Sequence, residues 1–91
     1  MIRRTVCLGD IVWLRRVHYS YSGATKRKYM GHSMIRVKIL SHFCAQDPAN
    51  DRLKLKILEI DISYRSMEST GDVFLMRGRD FYPAIDDRKF I

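Results

Sequence analysis

The sequence predicts a small all-β domain whose short strands close into a barrel. Three observations carry that reading. Two segments alternate apolar and charged residues with a period of two, turn-forming clusters separate the apolar segments, and no stretch of 11 residues holds the 3.6 period of a helix. With 91 residues, 46% of them hydrophobic and 30% charged, the chain suits one globular domain spanning 1–91.

The elements follow in order. A first strand over 6–17 contains the most apolar run, Ile11-Val12-Trp13-Leu14, entered from the turn pair Gly9-Asp10. Trp13, between Val12 and Leu14, reads as packed in the core or at the barrel mouth. A long loop over 18–33 then separates the first strand from the second. The second strand, 34–43, alternates Ile35, Val37 and Ile39 with Arg36 and Lys38. Its even phase puts His42 outward, as a solvated histidine.

Turn formers occupy 45–51, and a third strand over 52–65 alternates Leu53, Leu55 and Ile57 with Arg52, Lys54 and Lys56. A hairpin turning near 47 sets Lys38 opposite Lys54 or Lys56 on the outside and Ile39 opposite Leu53 or Leu55 inside. After Ile57 the apolar set moves to Leu58, Ile60 and Ile62, which requires a β-bulge or burial on both faces. A turn over 66–72 leads to a fourth strand at 72–78, with Phe74, Leu75 and Met76 as core candidates, and a short fifth strand follows near 80–85. The octets 9–16 and 71–78 share a Gly-Asp pair, four apolar residues and a basic exit, as if one local need were met twice. Asp86-Asp87-Arg88-Lys89 reads as a solvated tail.

Five short strands in so small a chain need closure to hide their edges. The outline is similar to an SH3-like barrel, whose functional loop lies between strands one and two. An OB-like barrel is the alternative, although it would usually carry a helix between strands three and four.

The net charge of +7 is unevenly placed. Residues 1–46 hold nine cations against Asp10 alone, a net of +8, and 47–91 are close to balance at −1. A one-signed field attracts polyanions. In the 18–33 loop Lys26, Arg27 and Lys28 are interleaved with Tyr19, Tyr21 and Tyr29, which combines phosphate-tracking charge with faces for base stacking. On the central hairpin Arg36, Lys38, Arg52, Lys54 and Lys56 form a like-charged row that an anion would relieve, although edge lysines also serve simply to block sheet-to-sheet pairing. The expected function is therefore non-enzymatic binding of nucleic acid, RNA or single-stranded DNA, since no recognition helix is available for a major groove. The competing reading is a protein-interaction module that docks an acidic or extended partner.

No nucleophile elbow, Gly-rich phosphate loop, HExxH or acid pair on a recognisable scaffold is present, so an enzyme is not expected. Cys7 and Cys44 lie 37 positions apart and read as free, half-buried thiols. With His18, His32 and His42 they show no ligand spacing of a common zinc motif, so no metal or other cofactor is expected. The apolar runs are far too short to span a bilayer, and a cytoplasmic setting is expected.

Overall fold

In a computed structural model the residues described are 2–23 and 26–86. Four strands form one antiparallel sheet in the order of the chain: β1 (Ile11–Ser22), β2 (Lys26–Phe43), β3 (Arg52–Ile62) and β4 (Val73–Arg77). A short helix α1 (Gly78–Phe81) follows, and 3-10 turns lie at Pro48–Asn50, Tyr64–Ser66 and Tyr82–Ala84. The all-β reading holds. No helix of the described residues is long and apolar enough to cross a membrane.

The alternation read from the sequence sets the core. Val12 and Leu14 from β1, Ile35, Val37 and Ile39 from β2, and Leu53, Leu55 and Ile57 from β3 are all buried on one face, joined by Val6, Phe81 and Tyr82. Each of these aliphatic side chains contributes about 1.5–3 kcal/mol by leaving water. Lys38 pairs with Lys56 and Ile39 with Leu55, as the hairpin register requires. The phase slip after Ile57 is a bulge: Ile57 pairs with Val37 and Glu59 with Arg36, leaving Leu58 as the extra residue.

Three expectations are corrected. The sheet is open and four-stranded where five closing strands were expected. In place of a strand at 80–85 the chain winds through α1 and the Tyr82–Ala84 turn, then touches β1 at a single bridge, Leu14 to Ile85. Pro83 has no N–H to give a ladder, and the bulky pair Phe81 and Tyr82 is better buried by a turn that drops both rings into the core.

The long 18–33 loop is instead strand. β1 continues to Ser22 and β2 begins at Lys26, so the two form an arm extending the hairpin. Cross-strand pairs stabilise it: Tyr19 meets Tyr29 edge-on with centroids 6.5 Å apart, and Arg27 lies over the Tyr19 ring at 4.6 Å.

The third correction concerns facing. Leu75 is exposed while Phe74 and Met76 pack against the core, so the apolar triplet simply alternates. Trp13 is buried, but on the opposite phase from Val12 and Leu14 and outside the main core cluster. Cys7 and Cys44 are exposed rather than half-buried. Asp86 is half-buried and its N–H donates to the Trp13 carbonyl at 2.9 Å, whereas the rest of the acidic-basic tail lies outside the described residues.

The octet echo has a physical basis. In both copies the aspartate N–H donates to the carbonyl three residues back, Asp10 to Cys7 at 3.0 Å and Asp72 to Ser69 at 3.1 Å, and each carboxylate accepts from that residue's N–H. Gly9 at φ 87° and Gly71 at φ 94° supply the left-handed step such a turn requires. Each turn then grips an inner strand: Gly9 donates to Ile39 O and Ile39 N–H to Asp10 O, while Gly71 donates to Ile57 O and Ile57 N–H to Asp72 O.

Candidate nucleic-acid interface

Antiparallel register decides which side chains share a side, because directly opposed residues point the same way. Tyr19 pairs with Tyr29 and Tyr21 with Arg27, so these four share one face of the arm, and Lys28, opposite Ser20, lies on the other. Lys26 follows the phase of Lys28. Tyr21 and Tyr29 are more exposed than Tyr19. Tyr29 is tied down by a 2.9 Å hydrogen bond between its hydroxyl and His32 Nδ1.

Beside this face lies an open groove of about 1340 Å³ between the arm and the β3–β4 end of the sheet. Arg15, Arg16, Tyr19 and Arg27 line it from one side, Arg52, Arg77 and Arg79 from the other, and Pro83 to Asp86 pass beneath. Asp80 and Asp86 are the acids on its lining, against six guanidiniums. Among the described residues no carboxylate lies within salt-bridge distance of Arg15, Arg16, Arg27, Arg52 or Arg77. Arg16 instead lies over Phe74 at 4.7 Å and Arg27 over Tyr19. A guanidinium flat on a ring still presents its N–H edge to a phosphate.

Of the ten residues expected to bind, Tyr19 and Arg27 line the groove. Tyr21 and Tyr29 stand on the same face of the arm. Lys38, Lys56 and Lys54 form an exposed row on the outer face, and Arg52, two residues along β3 from Lys54, carries that row into the groove. Lys26 and Lys28 are turned away on the far face of the arm. Arg36 is half-buried and pairs with Glu59 at 3.4 Å. Arg15, Arg16, Arg77 and Arg79 were missed, although the basic exits of the two octets, Arg15-Arg16 and Arg77, marked where three of them stand; Arg52 was expected in the charged row but not named among the binding residues.

Two polar clusters hold the walls of the groove. At the root of the arm Ser33 is fully buried: its hydroxyl donates to Glu68 Oε2 at 3.1 Å, accepts from the Tyr64 N–H at 2.9 Å and meets His18 Nε2 at 3.1 Å. The His18 ring stacks on Tyr64 at 5.1 Å. Glu68 accepts from the serine and lies 3.9 Å from His18 Nε2, and with the serine closed to solvent the trio locks the root of the arm.

The second cluster centres on Asp51, fully buried at the start of β3. Arg4 donates from Nε and Nη2 at 2.8 Å each, Tyr82 Oη at 2.6 Å, His42 Nε2 at 3.0 Å and the Ala45 N–H at 2.8 Å, while Arg4 also reaches the Ala45 carbonyl. Burial alone would raise the carboxyl, but Arg4, Tyr82, His42 and Ala45 together hold it well below the usual carboxylate range. Burial, reinforced by the hydrogen bond to Asp51, pushes the Tyr82 phenol up, and that same carboxylate raises Arg4. The Asp51 carbonyl accepts from the Gly78 N–H at 2.9 Å, so one residue positions Arg52 next in sequence and the α1 segment bearing Arg79.

His42 was expected to be solvated. It is half-buried, with its ring turned in, because Leu40 forms a bulge: Ile39 pairs with Leu55 but Ser41 with Lys54, so the phase flips and His42 points inward.

No protein-family profile, curated protein or solved structure matches this chain.

Proposed function

We propose that this chain is a non-enzymatic nucleic-acid-binding domain of the cytoplasm that holds single-stranded RNA or DNA along its arginine groove. The observation that carries the reading is the set of groove arginines with no carboxylate partner among the described residues, set beside Tyr19 and fed by the outward row of Lys38, Lys56 and Lys54. Phosphates would track the guanidiniums, and splayed bases would stack on Tyr19 and Tyr21. The architecture proposed for it is SH3-like. A four-stranded meander followed by a 3-10 turn that returns the chain to β1, with Ile85 standing where a fifth strand would, supports that outline.

The test is a salt titration of binding to short single-stranded oligonucleotides. Neutralising about five phosphates on a single strand gives a log–log slope of about −3.5, a loss of about 100-fold in affinity between 50 and 200 mM salt. Absence of binding at low salt, or binding that ignores salt, overturns the proposal.

A second reading is favoured by exposed Phe43, Val73 and Leu75, which interleave with Arg52, Lys54 and Lys56 on the outer face. Mixed apolar and basic surface suits docking of an acidic protein segment. A partner that survives nuclease treatment and is displaced by oligonucleotide would support this reading.

A further inference from the structure

We propose that His42, Cys44 and Asp51 form a zinc-binding site at the junction of β2 and β3. Their ligand atoms all lie within 4.8 Å of one another, with Cys44 Sγ 3.6 Å and Asp51 Oδ2 3.0 Å from His42 Nε2. Zinc bonds sulfur at about 2.3 Å and imidazole nitrogen at about 2.0–2.1 Å, which places neighbouring N and S atoms of a tetrahedral shell about 3.5–3.6 Å apart and N and O about 3.3–3.4 Å apart. The first spacing is met, the second requires an opening of about 0.3 Å as the metal replaces a hydrogen bond, and the third, Cys44 Sγ to the Asp51 carboxylate at up to 4.8 Å, requires the exposed Cys44 side chain to close by about 1.2 Å. A thiolate, an imidazole and a carboxylate together favour zinc over calcium or magnesium, which take oxygen shells.

Asp51 is already a crowded acceptor, and the metal would take the place of one of its donors. A carboxylate offers about four lone-pair directions, and five donors converge here, three of them on Oδ2: Arg4 Nε, His42 Nε2 and Tyr82 Oη. With zinc on Oδ2, His42 carries its proton on Nδ1 and Cys44 releases its thiol proton to solvent. Oδ2 then serves the metal, Tyr82 and Arg4 Nε, while Oδ1 keeps Arg4 Nη2 and the Ala45 N–H. Arg4 weakens the attraction for a cation but offsets the two anionic ligands. Cys44 is on the exposed side, so a water there fills the fourth position.

Cobalt is the probe, added to the untagged, reduced protein. Binding through Cys44 gives tetrahedral visible bands and a near-ultraviolet thiolate-to-cobalt band that saturates at one equivalent and is displaced by zinc. Because loss of even an outer-shell partner costs about 10–100-fold in metal affinity, Cys44→Ser and His42→Gln should each weaken cobalt binding by at least about tenfold, with Cys7→Ser unchanged. Cys44 is exposed, so Cys44→Ser keeps its metal-free melt and serves as the readable variant even if His42→Gln does not fold. Absence of a saturable thiolate band, its persistence in Cys44→Ser, or its loss in Cys7→Ser would overturn the proposal.

Discussion

Replacing Asp51 with alanine should come close to unfolding the protein. The side chain is fully buried and receives Arg4, Tyr82, His42 and the Ala45 N–H, so its removal leaves the Tyr82 hydroxyl and the His42 ring without their acceptor beside a cavity, while the exposed Arg4 guanidinium turns to water. Each buried donor left without its acceptor costs about 1–3 kcal/mol, so Tyr82 and His42 together cost about 2–6 kcal/mol. At about 0.05–0.15 kcal/mol per residue, a chain of this length has roughly 5–14 kcal/mol in total. The lower figure, about 2 kcal/mol, corresponds to a fall in Tm of about 8–16 °C for a domain of this size. Thermal and urea unfolding followed by circular dichroism, with chelator present, would measure it. A loss below about 1 kcal/mol would refute the view of Asp51 as the hub joining the N-terminal segment, β3 and α1. The pH dependence carries the same signature. The Asp51 carboxyl lies lower in the fold than its unfolded value of about 3.9, so its contribution is present above about pH 4 and fades as pH falls further. In Asp51→Asn the acid limb of the stability curve should flatten, as seen in melts run from neutral pH down to pH 2.

Arg15→Ala and Arg77→Ala should each reduce the salt slope of oligonucleotide binding by about 0.7, while Lys26→Ala, on the far face of the arm, leaves it nearly unchanged; anisotropy titrations at several salt concentrations decide this. Tyr21→Ala should cost about 1–3 kcal/mol of single-strand affinity without altering the melt, since the ring is exposed and its loss removes a stacking face only. Gly78→Ala should destabilise by about 1–3 kcal/mol, because a methyl group there runs into the Pro48 carbonyl and the Tyr82 ring; an unchanged urea midpoint would contradict that packing.

The central hairpin was legible because one face is buried, and a strand with one dry face cannot slip without exposing Ile35, Val37, Ile39, Leu53 and Leu55 together. The arm was not. Its strands carry tyrosine, serine and cations rather than an apolar row, and what makes them strands is pairing across the hairpin, Tyr19 to Tyr29 and Arg27 to Tyr19, which no local window contains. His42 was misplaced because period-two counting assumes an unbroken strand, and the single bulge at Leu40 inverts everything beyond it. The Asp51 cluster unites positions 4, 42, 45 and 82, a convergence that only the folded chain produces. The basic patch was anticipated in sign and in part of its membership. Its centre shifted from lysines to arginines because the groove lies where the ends of β1 and β4 face each other.

The twin Gly-Asp turns have a consequence for how this molecule can change. Each hooks an outer strand onto one isoleucine of an inner strand, Ile39 or Ile57, and so sets a zero mark from which the rungs are counted. For the Gly9-Asp10 turn, added or deleted rungs then accumulate at the opposite end of the pair, where β1 and β2 project past the core as the tyrosine-bearing arm. Its reach can be lengthened or trimmed two residues at a time, one from each strand, leaving the interior undisturbed.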